Sequence, residues 1–191
     1  MNKTLLEVKN LTVSYQTKQD EVLAVNGISF TVERGEFIAL IGKSGCGKTS
    51  VLSACAGLLP YEGEIVLDGE KIISASRKTG YMLQRDELFE WLTIEKNACL
   101  PLKIRKKYGS KNETFVRELL DKYGLGDFKK SYPRELSGGM RQRAALIRTL
   151  ATDPALLLLD EPFSALDYQT RLTVTADVYN VIKSEGKTAM L

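Results

Sequence analysis

The chain has 191 residues, 43% hydrophobic and 27% charged, which suits a globular protein of one domain or one domain carrying an inserted subdomain. A net charge of +3 is too small to argue for nucleic acid as a partner, and no apolar run approaches the roughly 18 residues of a membrane span. Three scattered cysteines (Cys46, Cys55, Cys99) make neither a disulfide framework nor a zinc site; they fit a reducing, cytoplasmic setting, and residues 1–7 carry no signal-peptide pattern.

Residues 5–13 alternate through Leu6, Val8, Leu11 and Val13 and predict a strand. Tyr15 follows it, either as an ordinary strand-end tyrosine or as a ring on which adenine stacks. Residues 22–32 predict a strand pair, with Asn26-Gly27 as the turn between them. Residues 37–41, FIAL with Ile41, predict a short buried strand. The octapeptide GKSGCGKT then places Gly42, Gly47, Lys48 and Thr49 at the fixed positions of G-x-x-x-x-G-K-[ST], and residues 50–57 continue as a helix. Strand, glycine loop and helix together form a phosphate cradle: backbone N–H groups turn inward and the helix points its positive end at the anion. Lys48 reaches the terminal phosphates and the Thr49 hydroxyl ligates Mg²⁺.

Residues 63–67 predict a strand closed by Asp68-Gly69, and residues 80–83 another that ends at Gln84. Helical texture follows over 93–107 and 111–123, broken by Pro101 and Gly109; the basic run 103–107 reads as a solvated face, with lipid headgroups as the weaker alternative. Leu88, Phe89, Trp91 and Leu92 form an apolar cluster just after Gln84, either an interface or a small satellite core. In LSGGMRQ, Ser137 caps a helix running through Arg148, and Gly138 and Gly139 bare their N–H groups as a second anion site. Such a site, lacking a lysine of its own, makes sense if it closes over a nucleotide held by another copy of the chain. The five apolar residues ALLLL (155–159) suit a central parallel strand, with Asp160 and Glu161 at its ligand-binding C-terminal end. Asp160 can hold Mg²⁺ through water and Glu161 can orient the attacking water. Residues 164–167 predict a turn, Leu172, Ala176, Tyr179 and Ile182 the buried stripe of a helix ended by Gly186, and 187–191 the start of a strand.

GKSGCGKT, Gln84, LSGGMRQ, LLLLDE and SALD, in this order, resemble the ATP-binding subunit of an ABC transporter over nearly the whole chain. The resemblance implies an α/β P-loop NTPase (RecA-like) core with an antiparallel β subdomain and an inserted α-helical subdomain. Its expected divisions are 1–84 (β subdomain and first part of the core), 85–151 (helical subdomain with the signature) and 152–191 (second part of the core). It implies nucleotide contacts from Tyr15, now the adenine-stacking aromatic, from the loop Gly42, Lys43, Ser44, Gly45, Cys46, Gly47, Lys48 and Thr49, and from Ser50. Ser137, Gly138 and Gly139 contact the γ-phosphate bound by the opposite subunit, and Asp167 lies at the dimer seam. Glu161 is the catalytic carboxylate; Gln84, the lid glutamine, joins Thr49 and Asp160 around Mg²⁺.

The implied activity is ATP hydrolysis coupled to translocation at the cytoplasmic face of the membrane. The implied partners are a second nucleotide-binding subunit, integral-membrane permease subunits and a solute-binding protein. The stretch 84–93 and the segment SYPRELSGGMRQRAALIRTL are most similar to importers of nitrate, sulfonate or taurine, with thiamine-precursor importers close behind. The family's switch histidine has no counterpart, since the sequence has no histidine and stops at Leu191; the expectation is a C-terminally incomplete chain with reduced turnover. Two rival classes stand beside this one: an ABC-type ATPase without a membrane partner, which usually carries tandem cassettes or long insertions, and a P-loop kinase or GTPase, which would lack LSGGMRQ.

Overall fold

The computed structural model describes residues 3–16, 20–107, 109–162 and 167–191. The chain falls into two compact units, one comprising residues 1–81, 155–160 and 186–191 and the other residues 82–154 and 161–185. The helix after residue 167 therefore groups with the helical unit, whereas the sequence reading placed 152–191 together in the core.

The first unit holds two sheets. In one, β1 (Thr4–Gln16) lies between β2 (Glu21–Glu33) and β4 (Glu62–Leu67), with β5 (Glu70–Lys71) beyond β4, all antiparallel. Alternation sets the register: Leu6 opposes Val32 and Leu67, Val8 opposes Phe30 and Ile65, and Leu6, Val8, Val32, Ile65 and Leu67 are all buried. The expected strand pair over 22–32 is one continuous strand instead. Gly27, at φ 62°, is absorbed as an irregularity in the ladder, where its N–H donates to Thr12 Oγ1 at 3.0 Å. Asp68-Gly69 does make the turn between β4 and β5, both residues taking left-handed φ of 52° and 76°.

The second sheet runs in the order β3 (Phe37–Ile38), β8 (Thr188–Met190), β7 (Leu156–Leu159), β6 (Thr79–Met82), with β8 parallel to both β3 and β7. β7 is buried at every residue, as its unbroken apolar run requires. The strand before the glycine loop is less buried than expected. Among the described residues β3 has one sheet neighbour, its two residues are half-buried, and Ile41 is 96% exposed. Helix α1 (Lys48–Cys55) buries Val51, Leu52, Ala54 and Cys55 in the same core as Leu11, Ile65, Leu156 and Leu158. Burial pushes the Cys55 thiol up to about 12, so it behaves as a small apolar side chain.

The second unit contains α2 (Ile94–Ile104), α3 (Ser110–Lys122), α4 (Gly138–Leu150) and α5 (Tyr168–Ser184). α2 packs on α3 and α4, and α4 on α5. Pro101 does not break α2. It sits two turns inside the helix, which continues to Ile104 although proline offers no N–H to the preceding turn. Asn97, fully buried on the same helix, anchors the preceding loop: its Nδ2 faces the carbonyls of Phe89, Leu92 and Thr93 at 3.0–3.1 Å, and its Oδ1 accepts from Phe89 N–H at 2.8 Å. The buried stripe of α5 is Val174, Val178, Val181 and Ile182; of the expected set only Ile182 is buried, and Leu172 and Tyr179 are exposed. Both sets satisfy a 3.6-residue period, and the β-branched one wins the core.

Candidate functional site

The glycine loop is shaped by two left-handed residues, Gly45 at φ 78° and Gly47 at φ 97°. A Cβ at Gly47 would lie 2.4 Å from the Ala24 carbonyl, so the bend into α1 admits glycine alone. No side chain caps the first turn of α1, which leaves that helix end to the loop and to an anion. Gly42, Lys43, Ser44, Gly45 and Cys46 are exposed. The Cys46 thiol lies over Gly42, where any added Cβ would meet Sγ at 2.5 Å. Lys48 folds back over the loop and donates from Nζ to the carbonyls of Gly42 and Lys43, each at 3.2 Å. These neutral acceptors hold the ammonium over the loop.

Thr49 begins the site's oxygen cluster. Its hydroxyl donates to Asp160 Oδ1 at 2.8 Å, and the second carboxylate oxygen, Oδ2, accepts from the Tyr81 hydroxyl at 3.2 Å. Asp160 is only 6% exposed, so this pairing is what its burial demands. Tyr81 also meets Ser53 Oγ at 3.1 Å, and burial above all pushes its hydroxyl up to about 12, keeping it a donor at neutral pH. Tyr15, 40% exposed, places its hydroxyl 3.0 Å from Ser50 Oγ and leaves much of its ring open to solvent. The sequence reading treated Tyr81 and Ser53 as ordinary strand and helix residues. The available signal was spacing: Ser53 lies one helical turn after Thr49, on the same face of α1.

In the second unit Gln84 Nε2 donates to Glu161 Oε2 at 3.3 Å, so the expected lid glutamine and the candidate base touch. Glu161 is exposed and sits at φ 43°, a left-handed conformation unfavourable for a non-glycine residue and typical of functional positions. Ser137 caps α4, its Oγ accepting from Met140 N–H at 3.3 Å. Gly138 is exposed but Gly139 is buried, so the expectation that both glycines face outward holds for the first alone. Asp167 is exposed just before α5 and its carbonyl accepts from Arg171 N–H at 2.8 Å; the rest of the predicted SALD turn lies outside the described residues.

Sequence reasoning also missed an ion cluster that holds the segment after Gln84. Arg141 binds Asp86 through Nε at 2.9 Å and Nη2 at 3.0 Å, and reaches Glu90 at 2.8 Å. Burial alone would raise the Asp86 carboxyl, but the Arg141 fork, the Leu88 N–H and the charge of Arg148 outweigh it and hold it below its ordinary value. Arg148 donates to the carbonyls of Glu87 and Asp86 at 2.7 and 2.6 Å. On this scaffold Trp91 stands 73% exposed with the Phe89 ring tilted against it, centroids 4.9 Å apart, while Leu92 is half-buried and Leu88 buried; the four-residue cluster predicted from sequence splits into a surface pair and two residues turned inward.

The family described as ABC transporter matches residues 25–164 of the chain. The chain belongs to this family. It is 48% identical over 189 residues, 98% of its length and 73% of the other protein, to the uncharacterized ABC transporter ATP-binding protein YtlC of Bacillus subtilis. It is 43% identical to the aliphatic sulfonates import ATP-binding protein SsuB of Bacillus thuringiensis subsp. konkukian, over 95% of this chain and 72% of that one. The taurine import ATP-binding protein TauB of Roseobacter denitrificans is 38% identical, over 98% of this chain and 71% of that one. Among solved structures, the ATP-binding cassette MJ0796, a dimer in a post-hydrolysis state bound to ADP and Pi, superposes with a TM-score of 0.79 at 29% identity, covering 97% of this chain and 86% of that one. The chain is thus an ABC transporter ATP-binding subunit, an ATPase with the P-loop NTPase fold.

Proposed function

We propose that the chain binds MgATP at the glycine loop and powers import of a small solute, with sulfonates such as taurine the favoured cargo. The observation that carries the nucleotide reading is the junction of Thr49 and Asp160 at 2.8 Å, directly behind a lysine already turned over the loop. The donors there are a hydroxyl and a carboxylate, all oxygen, the set a hard divalent cation such as Mg²⁺ prefers. Thr49 can offer a lone pair to that ion while its hydroxyl still donates its hydrogen bond to Asp160. Bound Mg²⁺ would neutralise charge on the terminal phosphates.

The loop amides from Gly42 to Thr49 and the start of α1, with Ser50, hold the phosphates, and Lys48 exchanges its carbonyl partners for phosphate oxygens. Tyr15 carries the adenine ring. Glu161 would orient the attacking water, and Gln84 would be one of the residues around bound Mg²⁺. Ser137, Gly138 and Gly139 meet the γ-phosphate held by a second copy, with Asp167 at the seam. The working protein is then a homodimer, peripheral at the cytoplasmic face of the membrane, beside permease subunits and a solute-binding protein. The exposed Trp91 and Phe89 pair is the surface offered to the permease. The cargo reading rests on relatives named for sulfonate and taurine import.

The test of the nucleotide site is Lys48→Ala with ATP in a calorimeter. Loss of a charge-assisted contact worth about 1.5–3 kcal/mol should weaken binding roughly tenfold or more. Unchanged affinity would refute the site. For the cargo, deleting the gene should abolish growth on a sulfonate as sole sulfur source and spare growth on sulfate; loss of nitrate or thiamine-precursor uptake instead would redirect the assignment.

A further inference from the structure

Asp160 is gripped at both oxygens, and both grips trace back to one helix. Thr49 and Ser53 are one turn apart on α1. Thr49 reaches Asp160 Oδ1 directly at 2.8 Å. Ser53 reaches Oδ2 through Tyr81, with legs of 3.1 and 3.2 Å. Tyr81 has one hydroxyl proton, and that proton points to Asp160. Ser53 must then donate to Tyr81, giving the chain a direction: Ser53 to Tyr81 to Asp160. Tyr81 stands on β6 and Asp160 follows β7, adjacent strands of one sheet, and the Tyr81 hydroxyl takes the carboxylate oxygen that Thr49 leaves open.

We propose that Tyr81 is a positioning residue for the metal: its hydroxyl, oriented by Ser53, fixes the rotation of the Asp160 carboxylate so that Oδ1 stays on Thr49 and the Thr49 lone pair faces the Mg²⁺ of bound nucleotide. Without that second grip the carboxylate can turn about its terminal bond and Thr49 can give its proton elsewhere. The phosphate cradle itself, built from loop amides and Lys48, does not involve Tyr81. The inference rests on the reading of Thr49 and Asp160 as the Mg²⁺ side of the nucleotide site.

The experiment measures ATP affinity of the whole chain by calorimetry in EDTA and across a Mg²⁺ titration, for the parent, Tyr81→Phe and Ser53→Ala. Tyr81→Phe keeps the ring and removes the hydroxyl. It should leave affinity in EDTA within about twofold of the parent, yet raise the Mg²⁺ concentration for half-maximal strengthening about tenfold, as loss of an outer-sphere partner does. Ser53→Ala leaves Tyr81 free to rotate and should shift the same midpoint by about threefold, in the same direction. A Tyr81→Phe protein with the parent's Mg²⁺ midpoint, or one equally weakened in EDTA and in Mg²⁺, overturns the inference. Should Tyr81→Phe fail to fold, an unshifted midpoint in Ser53→Ala overturns it equally. A parent chain whose ATP affinity ignores Mg²⁺ would instead overturn the site reading, and this inference with it.

Discussion

The two halves of the candidate ATP machinery are built in opposite ways. The phosphate-loop half, in the first unit, is wired to itself: Lys48 to loop carbonyls, Thr49 and Tyr81 to Asp160, Tyr15 to Ser50. The signature half, in the second unit, has its serine occupied in capping its own helix and its first glycine open to solvent. What holds the second unit's surface in place lies elsewhere, in Asn97 under the 89–93 loop and in the Arg141 fork to Asp86. A half-site with its polar groups already paired can accept a ligand with little rearrangement. One that presents a helix end and an exposed glycine fits the proposed role across a second copy.

The largest expected effect separates binding from chemistry. Glu161→Gln keeps the shape of the side chain and its contact with Gln84 but removes the base. Phosphate release should fall at least about a hundredfold while ATP affinity stays unchanged; equal loss in both would make Glu161 part of the binding half. Next comes the support of the second unit. Asn97→Ala removes the side-chain partner of the Phe89 N–H and the Leu92 carbonyl, while the Phe89 and Thr93 carbonyls keep the backbone N–H groups of Leu92 and Asn97, and should cost about 2 kcal/mol in denaturant unfolding. A change below a few tenths would mean that the loop holds itself.

Tyr15 sharpens the contrast from the other side. Stacking on a base is worth roughly 1–3 kcal/mol, so Tyr15→Ala should weaken ATP binding while Tyr15→Phe, which loses only the Ser50 contact, should not. Identical behaviour of the two variants would leave Tyr15 a structural residue. The smallest effect is electrostatic. Asp86 is held below its ordinary value in the folded chain, so its pairing contributes stability above the unfolded carboxylate range near about 4 and loses it as pH falls through the lowered folded value. Asp86→Asn should therefore flatten the acid limb of the stability profile; an unaltered limb would show that the fork contributes nothing.

What could be read from the residues alone was whatever depends on local geometry. The glycine loop, the Ser137 cap and the Asp68-Gly69 turn each follow from one short stretch, and the structure has all three. The apolar run of β7 with its acidic end was legible for the same reason. What escaped depends on partners distant in sequence. Nothing near Tyr81 says that its hydroxyl meets Asp160, because that contact is made by the order of strands in the sheet. The stripe of α5 was misplaced because two phases of the same helix are equally periodic and only packing chooses between them. Pro101 looked like a helix end, yet α2 runs on to Ile104, packed against α4.

The central claim is that the phosphate-loop half binds nucleotide by itself and the signature half acts only across a second copy. Calorimetry of ATP in Mg²⁺ at protein concentrations where the chain is monomeric tests it most directly, comparing the parent with Ser137→Ala. The account predicts one ATP per chain and the same affinity for both proteins. Binding that appears only when the chain dimerises, or that Ser137→Ala weakens in the monomer, would contradict it.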